Sequence, residues 1–239
     1  ATSTGSWTPC TSGFEVTGLA DGMTEVSVKQ IDAAGNESAV AASQFAVDTT
    51  TPSAPTLGGT PDSITSSTGL SVTFTGADDV TYDFTTGSPW TQASTDSYGS
   101  QFTASSKTYS PVFKCKLDSG SYETCTSPFT ASSLAEGSHT LDVKQFNAVG
   151  TASSAASASW TVDTTAPAKP SWGDYTSGVT SETTASFGFT GEPTATFECK
   201  LDSGSYEACT PPKEYTGLAD GEHNFYVTQT DTAGNISDP

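Results

Sequence analysis

At 239 residues the chain can hold one large domain or two to three ordinary ones, and its 27 acidic side chains against eight basic ones leave a net charge of −19. All eight basic residues are lysine, a balance that argues against nucleic acid and against anionic membrane surfaces, which both require a cationic face. No stretch approaches the ~20 consecutive apolar residues of a membrane-spanning helix, so no membrane insertion is expected within the chain, and Ala1 to Trp7 do not read as a signal peptide.

Taken in chain order, one pattern recurs three times. The first copy is partial: Gly5-Ser-Trp7-Thr-Pro-Cys10, Gly18-Leu-Ala-Asp-Gly22, Val26-Ser-Val-Lys-Gln-Ile-Asp32-Ala-Ala-Gly-Asn36, then Phe45-Ala-Val-Asp-Thr-Thr-Thr-Pro52. The middle copy reads Phe113-Lys-Cys115-Lys-Leu-Asp-Ser-Gly-Ser-Tyr122-Glu-Thr-Cys125, Ser133-Leu-Ala-Glu-Gly137, Leu141-Asp-Val-Lys-Gln-Phe-Asn147-Ala-Val-Gly150 and Trp160-Thr-Val-Asp-Thr-Thr-Ala-Pro167. The third reads Phe197-Glu-Cys199-Lys-Leu-Asp-Ser-Gly-Ser-Tyr206-Glu-Ala-Cys209, Tyr215-Thr-Gly-Leu-Ala-Asp-Gly221 and Phe225-Tyr-Val-Thr-Gln-Thr-Asp231-Thr-Ala-Gly-Asn235. Segments such as Glu25 to Ile31 and Phe225 to Thr230 alternate apolar with polar residues, the period of a strand buried on one face. Ala-Asp-Gly and Ala-Gly-Asn supply the residues that tight turns demand. About seven short strands in each repeat predict an all-β chain of tandem Ig-like (fibronectin-like) antiparallel β-sandwich modules. The expected division is a partial module over 1–52, a complete module over 53–167 with an insertion at about 77–108, and a module over 168–239 lacking its last strand. Val47 to Pro55 and Val162 to Pro170 read as stiff linkers, because proline restricts the backbone.

The Phe-x-Cys-x-Leu-Asp-x-Gly-x-Tyr-x-x-Cys hairpin, the Gly-Leu-Ala-Asp-Gly turn, Asp-x-Ala-Gly-Asn and Val-Asp-Thr-Thr-x-Pro together resemble the Ig-like repeats of large bacterial surface and adhesion proteins. The resemblance covers nearly the whole chain apart from the insertion. It implies an extracellular structural or adhesive region, a stalk or fibre at a cell or particle surface, whose partners are neighbouring repeats or identical subunits. Two other readings stay open: a carbohydrate- or protein-binding module that engages a surface glycan or protein, and an accessory region of a secreted enzyme. The resemblance also places structural calcium at module junctions, where Asp48 or Asp163 of a linker could meet a turn bearing Asp32 and Asn36 or Asp231 and Asn235. Asn147 and Thr151 depart from that pattern in the middle copy. Turn capping by Asp and Asn accounts for the same residues without metal.

Cys115 faces Cys125 across a short hairpin, as Cys199 faces Cys209, which predicts two disulfides and an oxidising compartment. Cys10 has no partner: it is the remnant of a third such pair, a reactive thiol or half of an intermolecular bond. A zinc site needs four ligands, and His139 and His223 are the sole histidines. In the middle copy roughly thirty residues are inserted between Phe74-Thr-Gly76 and Phe113-Lys-Cys115. Tyr82 to Ala93 within them reads as a diverged hairpin, so an extra strand pair is expected. Trp90, Tyr98, Phe102 and Tyr109 beside nearby carboxylates form a candidate sugar platform, or else fill a small extra core. No nucleophile elbow, phosphate loop or zinc-protease motif occurs, and the two histidines occupy equivalent repeat positions, so no enzyme activity is expected.

Overall fold

The computed structural model describes residues 6–76, 80–84 and 105–239; among them there are eighteen strands and no helix. In chain order the strands are β1 (Gly22–Val28), β2 (Ala41–Val47), β3 (Thr56–Gly58), β4 (Ile64–Thr65), β5 (Leu70–Thr75), β6 (Val80–Phe84), β7 (Ser105–Tyr109), β8 (Val112–Leu117) and β9 (Glu123–Cys125). They continue with β10 (Phe129–Ala131), β11 (Gly137–Phe146), β12 (Ala156–Val162), β13 (Ser171–Tyr175), β14 (Thr184–Thr190), β15 (Thr196–Leu201), β16 (Glu207–Cys209), β17 (Lys213–Thr216) and β18 (Phe225–Thr230).

The middle repeat shows how the alternation folds. Strands β10-β5-β3 form one sheet and β4-β12-β11-β8-β9 a second, antiparallel throughout except where β4 runs parallel to β12. Every second residue of β5 points inward, so Leu70, Val72 and Phe74 are buried, and opposite them lie Leu141 and Val143 of β11 and Trp160 and Val162 of β12. One core drawn from both sheets is the layout of a β-sandwich. The third repeat builds the sheets β13-β14-β17 and β16-β15-β18 around Phe189, Cys199 and Val227. In the first repeat β1 pairs with β2 in the register that β11 and β12 use: Thr24 lies opposite Phe45 as His139 lies opposite Trp160.

The disulfides Cys115–Cys125 and Cys199–Cys209 clip the β8–β9 and β15–β16 hairpins. By the chain-entropy argument each short loop contributes about 2–3 kcal/mol. Cys10 is free and exposed. The insertion does contain an extra strand pair, β6 with β7, with Tyr82 opposite Lys107 and Val80 opposite Tyr109 in the ladder; the second arm of the expected hairpin, up to Ala93, lies outside the described residues.

A polar side chain sits at an apolar place in the alternation of β11 and of β18. Gln145 follows Leu141 and Val143 on the inward face and is fully buried, and Gln229 holds the same place after Val227. Room for each glutamine depends on a glycine. A Cβ on Gly76 would overlap Gln145 Oε1 and stand 2.7 Å from the Phe113 ring; on Gly191 it would overlap Gln229 Oε1 and stand 2.8 Å from Phe197. Both glycines follow a Phe-Thr pair whose phenylalanine packs on that same ring, Phe74 on Phe113 at 5.0 Å and Phe189 on Phe197 at 5.1 Å. Gly191→Ala is therefore expected to destabilise the third repeat by about 1–3 kcal/mol, the usual range for overpacking, in denaturant unfolding. Gly69→Ala, whose nearest neighbour would be a serine hydroxyl at 3.8 Å, serves as the neutral control; equal effects would refute the close-approach argument.

Candidate functional site at the inter-repeat junctions

The residues that recur most faithfully converge on the two Val-Asp-Thr-Thr-x-Pro linkers, which are held from both sides. On the preceding side the hold is a carboxylate in the loop before the strand that leads into the linker's own hairpin. Asp21 Oδ1 accepts from Thr49 N–H at 2.7 Å and from Thr49 Oγ1 at 2.6 Å. Glu136, in the same place of the middle repeat, accepts from Thr164 Oγ1 at 2.9 Å and Thr165 Oγ1 at 2.7 Å. These bonds, Thr165 first and then Thr164, hold the Glu136 carboxyl below its ordinary value. A carboxylate fits this position because hydroxyl and amide donors both need an acceptor with several lone pairs.

On the following side the hold is made by side-chain amides. Gln145 Nε2 donates to the Ser53 carbonyl at 2.6 Å and Gln229 Nε2 to the Ala168 carbonyl at 2.6 Å. Gln229 Oε1 also accepts from Glu192 N–H at 2.8 Å, so the buried amide uses both its ends. The strand continues into the turn that was the calcium candidate. Asp231 Oδ1 accepts from the N–H groups of Ala233 and Asn235, and Asn235 Nδ2 bridges Asp231 Oδ2 at 3.0 Å to the Asp163 carbonyl at 2.8 Å. Burial acts to raise Asp231, but the Asn235 side chain and the turn amides outweigh it and hold the carboxyl below its ordinary value. The backbone adds Ser66 N–H donating to the Ala233 carbonyl at 3.1 Å, a direct bond between the second and third repeats.

The middle repeat reaches the same result by exchanging residues. Asn147 stands where Asp231 does and Thr151 where Asn235 does. Asn147 Oδ1 accepts from Thr151 N–H at 2.8 Å, closing the turn, while Nδ2 donates to Asp48 Oδ2 at 3.0 Å and to the Thr50 carbonyl at 3.1 Å. The amide that grips the linker has moved by four positions, and the linker is gripped all the same. In the first repeat Asp32 and Asn36 close the turn between themselves, with Asn36 Nδ2 on Asp32 Oδ2 at 2.9 Å. Among the described residues no three or more acidic, histidine or cysteine side chains gather at one point. Trp90, Tyr98 and Phe102 of the aromatic platform lie outside the described residues; Tyr109 is on β7.

A second recurrent arrangement stands behind the junction. Asp118 and Asp202, just past β8 and β15, both adopt a left-handed backbone with φ of 53°, which a short polar side chain tolerates. Asp118 Oδ1 accepts from Thr140 N–H at 2.8 Å and Oδ2 lies 2.8 Å from His139 Nδ1, while His139 Nε2 lies 2.7 Å from the Ala135 carbonyl. His223 repeats this with Asp202 at 2.8 Å and the Ala219 carbonyl at 2.9 Å. The Ala135 carbonyl, then the Asp118 carboxylate, raise the affinity of His139 for its proton above the ordinary histidine value; for His223 Asp202 contributes first and Ala219 second. His139 is buried and lies against Trp160, ring centroids 5.7 Å apart.

Sequence reading missed Gln30, Gln145 and Gln229, and the serines at Ser38, Ser153 and Ser237 whose hydroxyls accept from the N–H of those glutamines. Recurrence was the available signal: a glutamine stands at the same place in every copy, with a serine eight residues later. No family model matches the chain, and no curated protein matches it.

Asn147→Asp sets a second carboxylate against Asp48 and removes both donations to the linker. It is expected to cost about 1 kcal/mol in denaturant unfolding of the middle repeat. Adding Thr151→Asn rebuilds the third repeat's arrangement and should recover most of that loss in a double-mutant cycle. A double variant no more stable than Asn147→Asp would show that the two positions do not act together.

Proposed function

We propose that the chain is a stretch of tandem Ig-like sandwich modules that serves as a stiffened, non-enzymatic extracellular spacer, a stalk or fibre segment at a cell or particle surface. The observation that carries this reading is the two-sided hold on both linkers, built from recurrent residues and kept at the first junction by the Asn147 and Thr151 exchange. Residues spent repeatedly on the joint between units are what a spacer needs, whereas an active site needs building only once. Both histidines are engaged in the same structural contact with an aspartate and a carbonyl. The two packed sheets of the middle repeat, with one core between them, support the Ig-like assignment. Two disulfides support an oxidising, extracellular setting. Eleven left-handed glycines among the described residues and the surplus of carboxylates suit a polar chain of short strands and tight turns that repels its own copies.

Small-angle scattering together with electron microscopy of single particles tests the reading. Particles with a narrow distribution of angles between successive repeats are expected, and the pair Asp21→Ala and Glu136→Ala should broaden it while each repeat stays folded. A distribution already broad in the unaltered chain, or unchanged by the pair, would sink the spacer role assigned to the junctions.

A further inference from the structure

We infer that the joint between the second and third repeats is gated by protonation of His139, while the joint between the first and second is not. The argument starts from hydrogen-bond chemistry. A neutral imidazole has one N–H and one acceptor nitrogen, whereas an imidazolium donates from both. His139 presents Nδ1 to the Asp118 carboxylate and Nε2 to the Ala135 carbonyl, and neither an ionised carboxylate nor a carbonyl can donate. Both contacts are satisfied together only by the doubly protonated ring. On deprotonation one nitrogen faces an acceptor with a lone pair of its own, in a place that is buried against Trp160.

The groups around the ring agree with a cation. Asp118 approaches from the end of β8, Glu136 stands in the loop beside Ala135, and β12 contributes no charged residue along its length. Lys116, the nearest cation in sequence to Asp118, is paired with Asp142 at 2.8 Å. Against burial, the bonds from His139 and Thr140 hold the Asp118 carboxyl below its ordinary value, so the carboxylate is present throughout the range in which the imidazole titrates.

The connection to the linker is one residue long. Ala135, whose carbonyl receives His139, is followed by Glu136, whose two oxygens hold Thr164 and Thr165. The ionised Asp118 keeps the remaining proton on Nδ1, because a charge-assisted bond is stronger than one to a neutral carbonyl, so deprotonation loses the Nε2 bond and releases the backbone that aims this carboxylate. At the first junction the position of His139 is Thr24, and Asp21 holds Thr49 with no titrating ring behind it. The molecule thus has two joints of the same design, of which one senses pH.

The sign follows from the direction of the shift. A histidine that binds its proton more tightly in the folded state stabilises the fold fully below its unfolded value, near 6.5, and that contribution disappears as pH rises through the higher folded value. The second joint is firm at mildly acidic pH and loosens on the alkaline side.

The chain has two histidines, so ring-nitrogen NMR resolves them, and amide hydrogen exchange reads residues 163–169 and 48–54 separately. Exchange of the second linker, normalised at each pH to that of the first, should rise as His139 titrates. At pH values below that titration both ring nitrogens of His139 should carry protons. In Glu136→Ala, which leaves the ring's contacts in place, His139 should titrate as before while the second linker stays fast-exchanging at every pH. A single-protonated His139 at mildly acidic pH, linkers whose exchange changes in parallel, or a pH response that persists in Glu136→Ala would each overturn the inference.

Discussion

The structure depends on the hydrogen bond from a buried glutamine amide to a carbonyl of the linker that precedes its own repeat. Gln145 to Ser53 and Gln229 to Ala168 each cross the boundary between a strand in the core and a segment with no ladder of its own. A buried amide left without partners is costly, and so is a buried carbonyl, so each group requires the other. The requirement propagates outward. The glutamine needs the glycine at 76 or 191 for space, the phenylalanine pair beside it for walls, and the serine eight residues on to take the strand's N–H. The linker is thereby drawn into the fold of the repeat it enters, and the proline that stiffens it acts on a segment already anchored at its end.

Position in the repeat determines which chemistry can make the anchor. To the preceding repeat the linker offers threonine hydroxyls and an amide, and a carboxylate receives them. To the following repeat it offers carbonyls, and side-chain amides from glutamine and asparagine donate to them. The Asn147 and Thr151 exchange shows that geometry at this site outranks residue identity: an amide must reach the linker and an oxygen must close the turn. Either of two positions can serve for the amide.

Much of the fold was legible because the repeat makes its period visible. Alternation in Leu70 to Thr75 and in Gly137 to Phe146 predicts which residues face inward, and the ten-residue cysteine spacing around Asp-Ser-Gly-Ser predicts the clipped hairpins. The junction was legible only in part. Asp231 to Asn235 announces a turn by its composition, but the partner of Asn235 lies 72 residues away and that of Gln145 lies 92 away, and composition carries no distance of that kind. The pairing of β6 with Ser105–Tyr109 was not legible, because residues 85–104 lie between the two strands and no motif links them. The glutamines escaped notice because a polar residue in an inward strand position looks like noise in an alternation until its recurrence is noticed.

The disulfides acquire a different meaning when the chain is considered under tension. Each joins residues only ten apart, on two arms of one hairpin, and neither spans the two sheets or ties a repeat's beginning to its end. If a pulling force opened a repeat, the covalent clip would withhold only the short hairpin loop, and nearly all of the repeat's contour would pay out as slack. Such a molecule yields by lengthening before it breaks, and the clipped hairpin stays behind as a preformed piece on which the sheets can close again once the load is gone.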